Sequence, residues 1–405
     1  MNLLYTYPSR KIFRLLPGVA MKPVPKPSPE IVEGHQSRNE IGRLCRKYGF
    51  TNVMIITDKV LYSLGFHETV VRSLEDSGIR YGIFNEIASE PDDNIIDAAL
   101  NVVRESGAQC IIAIGGGSVI DTSKMVASGA RFKRRRASSL RCKLLYVPGG
   151  TLPLISVPST AGTGTEITTF AMVTNPDTGA KGSTVLIGLN VKAVVLDSEL
   201  TVSAPAGITA ACGIDALSHG IEGCIAAVHA KGKNADKCWE CVRLVFENLP
   251  RVMDNPGDIE ARLAMCRAAY YGGHAINIQL VGYVHSFAHS IGAMYHIPHG
   301  NAIALCLIPV LEWLKPYCVA KYAEMSRMCE FSAENENDAV AADRFLAEVA
   351  ALMKKCGLSL DGGMIRDEDY DRLTELIAKD SFFYSTPKAM KVSDIRDILN
   401  NIRKQ

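Results

Sequence analysis

What the 405-residue sequence lacks narrows it before any motif is read. It has almost no net charge: 44 basic against 43 acidic side chains leave +1, so no chain-wide field draws it to nucleic acid or anionic lipid. It has no uninterrupted apolar stretch of the roughly 18 to 20 residues that a bilayer crossing needs, the longest candidates being broken by Gly, Asp or Lys. No secretory leader is expected, because residues 1–20 mix Tyr5, Tyr7, Pro8, Arg10, Lys11 and Arg14 with their apolar residues and offer neither a clean apolar signal core nor a small-residue cleavage site. The expectation is a cytoplasmic protein with neither a nucleic-acid nor a membrane partner.

Twelve cysteines are present but scattered, in a chain whose 47% hydrophobic content can build a core without staples, so reduced thiols are predicted. Cys238 and Cys241 have C-x-x-C spacing, yet they sit in a helical run with no second pair facing them. Ordinary helix residues are expected there rather than a redox or zinc site. The one dense basic cluster, Lys133-Arg134-Arg135-Arg136 with Arg141 and Lys143, has no interleaved aromatics and reads as a solvated surface excursion between Ala130 and Pro153.

Between Thr51 and Leu196, β-branched apolar runs alternate with helical periods, the pattern of a parallel sheet with crossover helices. The strands are predicted at Val53–Thr57, Ile79–Phe84, Cys110–Ile114, Leu154–Val157 and Ala193–Leu196, with an amphipathic helix after Asp93-Asn94 that stops at Gly107. After Asp197 only helical period remains, as in Thr209–Ala227, Lys237–Leu249, Ile259–Ile278 and Ala339–Cys356. The expected organisation is an α/β dinucleotide-binding domain with a Rossmann-like parallel sheet over residues 1–200, then an all-α domain over 201–405.

Two strand-to-helix turns can hold a dinucleotide. In Ile114-Gly115-Gly116-Gly117-Ser118 the glycines let the backbone approach an anion, and the following helix points free N–H groups at it. The pattern is not G-x-G-x-x-G, and tight α/β turns also use glycine for structural reasons. The second turn, Pro158-Ser159-Thr160-Ala161-Gly162-Thr163-Gly164-Thr165-Glu166, places hydroxyls suited to phosphate or ribose after another strand. Asp58 ends the first predicted strand, where a carboxylate can accept from both ribose hydroxyls and repel a 2′-phosphate, arguing for NAD over NADP. The plain alternative is that it caps the next helix.

The helical half carries a sharper set. Asp215 and His219 are spaced i, i+4, as are His285 and His289, and His299 follows Pro298 at a turn. Residues four apart share one helix face. One carboxylate with imidazoles suits a first-row ion, zinc or iron(II), and not calcium or magnesium, which prefer oxygen shells.

Together these segments, with Gly213-Ile214-Asp215-Ala216-Leu217-Ser218-His219-Gly220-Ile221-Glu222, resemble the iron-containing (group III) alcohol dehydrogenases from about residue 30 to the C-terminus. The resemblance implies the dehydroquinate synthase-like architecture of that family, with nicotinamide and metal in a cleft between the domains. It implies Asp215, His219, His285 and His299 as metal ligands and iron(II) ahead of zinc(II). His289 is left beside the nicotinamide, as proton relay or as an orienting group for the ribose. Gly116, Gly117 and Ser118 then cradle the pyrophosphate, Ser159, Thr160 and Thr163 line the cofactor, and Lys181 reaches the ribose region.

Three positions depart from the family pattern: Ser159 stands where Thr is usual, Thr165 where Ser is frequent, and Lys388 where Arg is usual. Phe170, Ile276 and Phe287 are implied to line an apolar pocket, with Lys388 near its mouth. The activity implied is NAD(H)-linked interconversion of a short alcohol and its aldehyde, in a homodimer or larger homo-oligomer. A zinc glycerol-dehydrogenase-like or dehydroquinate-synthase-like enzyme, or a non-catalytic dinucleotide- and metal-binding protein, is the competing reading.

Overall fold

The apolar runs of the first half become strands that are buried on both faces. Val53, Ile55, Cys110, Ile112, Ile114, Ile155, Val157, Ala193 and Val195 share one core with Ile41, Leu44, Val70 and Leu74 of the covering helices. Continuous rather than alternating apolarity is what a parallel sheet covered by helices requires. The structure, a computed structural model, describes residues 26–87, 92–132, 135–142, 144–176, 181–227, 233–358 and 361–405. The chain divides into two units, one ending at Ala204 and the other running from Pro205 to Gln405.

The first unit runs β1 (Glu30–Gly34), α1 (Ile41–Lys47), β2 (Asn52–Asp58), α2 (Lys59–Ser63), α3 (Glu68–Glu75), β3 (Arg80–Ile87), α4 (Asp93–Ser106), β4 (Cys110–Gly115) and α5 (Gly117–Gly129). It continues through α6 (Ala137–Leu140), β5 (Leu144–Tyr146), β6 (Leu154–Pro158), β7 (Phe170–Thr174), β8 (Lys181–Ile187) and β9 (Val191–Asp197). Six strands pair in parallel in the order β1-β9-β6-β4-β2-β3. The chain steps outward from β2 to β3, then crosses back to β4 on β2's other side. The carboxyl ends of β2 and β4 therefore flank the point where strand order reverses, the place where open α/β sheets bind ligands.

All five predicted strands are present, within three residues at each end. Four others were not anticipated. Among them β5, β8 and β7 make a second, three-stranded sheet, with β7 and β8 antiparallel. Part of the expected basic surface excursion is thus regular, holding α6 and β5. The three residues of β5 alternate exposed, buried, exposed, too short a pattern for periodicity to reveal. Lys133, Arg134 and Lys143 lie outside the described residues; Arg141 is paired with Asp93 at 2.9 Å.

The second unit contains α7 (Ala206–Ile225), α8 (Lys233–Asp254), α9 (Ile259–Gln279), α10 (Tyr283–Tyr295), α11 (His299–Met328), α12 (Asp338–Lys355), α13 (Tyr370–Asp380) and α14 (Val392–Arg403). It has no strand among its described residues. Helix α11 is long and apolar enough to cross a membrane by length and composition, although Glu312 and Lys315 break its apolar run. Yet 61% of its apolar window is buried inside the protein, where it packs on α7, α10 and α12. None of the twelve cysteines is joined in a disulfide. Cys238 and Cys241 are buried helix residues, with Cys241 Sγ directed at the Ala216 carbonyl of α7 at 3.2 Å.

A buried polar knot fastens the two glycine-rich turns of the first unit to each other. Lys124 of α5, fully buried, donates to Thr165 Oγ1 at 2.6 Å, to Thr168 Oγ1 at 3.2 Å and to the Phe170 carbonyl at 2.5 Å. It also pairs with Asp121 at 3.2 Å. Glu166, in the same knot, is raised by burial to about 7, above its unfolded value near 4.5. Its folded-state proton contributes stability that is full below about pH 4.5 and is lost as pH rises through about 7. Glu166→Gln should therefore gain thermal stability relative to the parent between pH 5 and pH 8, by about 2 to 4 °C per kcal/mol relieved. Melting curves at the two pH values check this, and an equal offset at both would contradict it.

Candidate metal centre and cofactor turns

Helix α7 places Asp215 and His219 one turn apart on a buried face, as their spacing predicts. Helix α10 supplies His285, and the first residue of α11 is His299. Close approach of α11 to α7 depends on Gly300, where a Cβ would stand 2.6 Å from the Ala211 carbonyl oxygen. Any larger residue would push His299 away from Asp215, one turn further along α7.

The four groups converge. His299, His285 and His219 present Nε2 to Asp215 Oδ1 at 3.4, 3.5 and 3.7 Å, and His285 Nε2 is 2.9 Å from His219 Nε2. The donor atoms of Asp215, His285 and His299 all lie within 4.8 Å of one another; His219 joins that trio on the side of His285 and Asp215. Asp215 Oδ1 is buried and has no hydrogen-bond partner. An orphaned, buried carboxylate oxygen ringed by imidazole nitrogens is costly unless a cation satisfies it. Donors held about 2.1 Å from one ion stand roughly 3.0 to 3.4 Å apart at octahedral or tetrahedral angles; the separations here, 2.9 to 3.7 Å, straddle that range, so small side-chain shifts would seat a first-row ion.

The electrostatics agree. Burial pushes the Asp215 carboxyl up, but the three histidines pull it well below its usual range. Burial holds His219 down at about 4, against the pull of Asp215. For His285, burial also lowers the imidazole, but Glu222 and Asp215 outweigh it and raise it to about 9. The cluster therefore holds a fixed anion beside imidazoles of unequal proton affinity.

His289 stands at the rim and outside that set. Its ring stacks on His299 with centroids 5.4 Å apart, and its Nδ1 meets Asp380 Oδ2 at 3.1 Å, an oxygen that also accepts from the Tyr384 hydroxyl at 3.0 Å. No motif in the sequence marks Asp380 or Tyr384, or the role of Glu222. Asp380 lies 91 positions from His289, so no local spacing could reveal it. Phe287 is fully buried and fills the helical core instead of lining an open pocket. The Lys388 ammonium rests over the Tyr317 ring, 4.8 Å from its centroid.

In the first unit, Gly116 is the N-cap of α5, with φ −73° and no side-chain cap of its own. Among the described residues a Cβ at Gly116 would meet only Thr160, no closer than 3.5 Å, which leaves the backbone there open to close approach. Gly117 faces Thr163, Ser118 follows on the first turn, and Ser159 donates its backbone N–H to the Gly115 carbonyl at 3.0 Å. The two turns thus lie side by side at adjacent strand ends. Asp58 ends β2, and its Oδ1 accepts from the Leu61 N–H at 2.8 Å, so the capping role is present. Lys181 opens β8, but its side chain lies outside the described residues.

Comparison with known proteins supplies the family. Residues 28–198 match the iron-containing alcohol dehydrogenase family and residues 209–403 the C-terminal part of the Fe-containing alcohol dehydrogenase family. The chain belongs to the iron-containing alcohol dehydrogenases. It is a metal-dependent oxidoreductase of the alcohol dehydrogenase type. The NAD-dependent methanol dehydrogenase of Bacillus methanolicus is 29% identical over 92% of this chain and 98% of its own. A crystal structure of 1,3-propanediol oxidoreductase superposes with TM-score 0.88 at 25% identity, covering 94% of this chain and 99% of that one. The sulfoacetaldehyde reductase of Bifidobacterium kashiwanohense in complex with NAD+ gives TM-score 0.85 at 25% identity, over 94% and 98%.

His285→Ala should reduce metal affinity by at least about 100-fold, beyond the 10- to 100-fold typical of a partner outside the ligand set. NADH binding should be retained, because its expected contacts lie in the other unit. Metal content of the purified protein and NADH fluorescence titration check this; full metal occupancy in the variant would remove His285 from the ligand set.

Proposed function

We propose that this enzyme interconverts a short, uncharged primary alcohol and its aldehyde, with NAD(H) as hydride carrier and iron(II) as the resident ion. The observation that carries the reading is the buried Asp215 oxygen surrounded by His219, His285 and His299. A divalent ion held there acts as a Lewis acid toward an alcohol or carbonyl oxygen.

The remaining work falls to the chain's own residues. Gly116, Gly117 and Ser118 turn backbone N–H groups toward the pyrophosphate, and Ser159, Thr160 and Thr163 offer hydroxyls beside it. Lys181 is assigned to the ribose region. His289, fixed through Nδ1 by Asp380 and about one third exposed, passes the alcohol proton between the site and solvent. The named relatives act on methanol, 1,3-propanediol and sulfoacetaldehyde, all short molecules. An uncharged substrate is favoured over a sulfonate because Lys388 is engaged with Tyr317. Cysteines without a disulfide suit a reducing, cytoplasmic setting, and a homo-oligomer is proposed from family likeness.

Asp58 is assigned to the choice of cofactor. Its Oδ1 is used in capping α2, and Oδ2, with no partner among the described residues, is available to a ribose hydroxyl. Asp58→Gly keeps a tolerable cap, costing only a few tenths of a kcal/mol, while removing the carboxylate. The ratio of kcat/KM for NADH over NADPH should fall by at least about tenfold, equivalent to about 1.4 kcal/mol. It is measured by aldehyde reduction over a panel of C1 to C6 substrates. An unchanged ratio would leave Asp58 as a cap alone, and no turnover of any aldehyde or alcohol would overturn the enzyme reading.

A further inference from the structure

Glu222 lies on α7, three residues beyond His219, and is 3% exposed. Its carboxylate is engaged three times by the start of α10. Oε2 accepts from the Gly282 N–H at 2.7 Å and meets His285 Nδ1 at 2.7 Å, while Oε1 accepts from the Val284 N–H at 2.7 Å. The first N–H groups of a helix have no partner within it, and the helix dipole favours an anion there. Residue 282 is the N-cap of α10 and offers no side chain for this task. Gly282 is also the residue that makes room, since a Cβ would stand 2.6 Å from Oε1.

The link into α10 is strained. Leu280 has φ 62° and ψ −179°, a conformation that a residue with a branched side chain adopts only when its surroundings compel it. Two residues later the chain is gripped by Glu222. A carboxylate only accepts, so the hydrogen of a neutral His285 belongs on Nδ1, and Nε2 carries the free lone pair. Nε2 is the atom turned toward Asp215 Oδ1 and His219 Nε2, at 3.5 and 2.9 Å.

We infer that Glu222 is a positioning residue of the metal centre: by holding both the Nδ1 hydrogen of His285 and the N-terminus of the helix that carries it, Glu222 sets the affinity for the ion. The inference rests on the metal centre of the proposed function and deepens it. It differs from simple helix capping because it requires that the effect pass through the imidazole.

The test uses the full chain, stripped of metal and titrated with cobalt(II) against a competing chelator, with the visible absorption of the bound ion recorded. Glu222→Gln keeps shape and size but can no longer satisfy all three donors. It should bind cobalt(II) 10- to 100-fold more weakly, with a changed absorption spectrum and an unchanged circular dichroism spectrum. In a His285→Ala background the same substitution should change affinity less than about threefold, because the path through the imidazole is gone. Parental affinity and spectrum in Glu222→Gln would overturn the inference. So would an undiminished loss in the double variant, which would leave Glu222 as a cap. Should Glu222→Gln not fold, nitrogen-15 spectra of histidine-labelled parent protein loaded with zinc(II) decide the matter. A protonated His285 Nδ1 is expected, and zinc on Nδ1 would refute the inference. Failure of the parent to bind cobalt(II) or zinc(II) would instead remove the metal centre itself.

Discussion

A carboxylate oxygen that the fold buries and leaves without a hydrogen bond sets the terms for the helical unit. Asp215 Oδ1 is ringed by three imidazole nitrogens at 3.4 to 3.7 Å, beyond the distance of good hydrogen bonds. Packing alone would remove such an atom or pair it. Ringed by imidazole nitrogens in the middle of apolar helices, it is suited to a cation, and the surrounding structure brings donors to it. Gly300 lets α11 touch α7, and Glu222 and the strained Leu280 fix where α10 begins. Asp380 then holds His289 at the edge of the cluster without adding it to the ligands.

The first unit solves a different problem with a similar device. In the proposed function, two glycine-bearing turns at neighbouring strand ends keep backbone N–H groups open for the cofactor's pyrophosphate, yet loops of that kind have few apolar contacts to hold them. Buried Lys124 ties both together by reaching Thr165, Thr168 and the Phe170 carbonyl, and Asp121 closes the knot by accepting from the Met172 N–H at 3.0 Å. A buried ammonium and carboxylate are expensive unless fully satisfied; here the hydrogen bonds offset that cost, and a defined loop geometry is the gain. The Ser frequent in the family where Thr165 stands would keep the hydroxyl that Lys124 uses, so that departure is chemically silent.

Much of this was legible in the sequence because it is written locally. Buried strands announce themselves as apolar runs, a strand followed by glycines announces a turn, and residues four apart on a helix share a face, so β2, β4, β6, Asp215–His219 and His285 all follow from short-range pattern. The convergence of α7, α10 and α11 does not. His299 and Asp215 are 84 positions apart, and their meeting was expected from family likeness alone. Asp380 and Tyr384 were invisible because their contacts depend on how α13 returns to α10. Glu222 stood in plain view within Gly220-Ile221-Glu222, but a lone glutamate on a helix ordinarily faces water, and only its three contacts reveal its role. The second sheet escaped because its strands are short and its pairing is non-local.

The membrane-like hydropathy of α11 has the same origin as the metal centre. A site made of one carboxylate and three imidazoles gains strength from a low-dielectric surrounding, and the helices that provide it must be apolar over most of their circumference. Helix α11 starts at His299 and is 30 residues long, buried continuously from Ala302 to Leu307 and only on one face further on, with Pro309 and Pro316 inside it. Each proline removes a backbone hydrogen bond from the helix, an interruption that neighbouring helices accommodate when they pack closely. A composition that reads as a membrane span is, in this setting, the wall of a buried ion site. Replacing that wall with polar residues would weaken the ligands it encloses before it altered their positions.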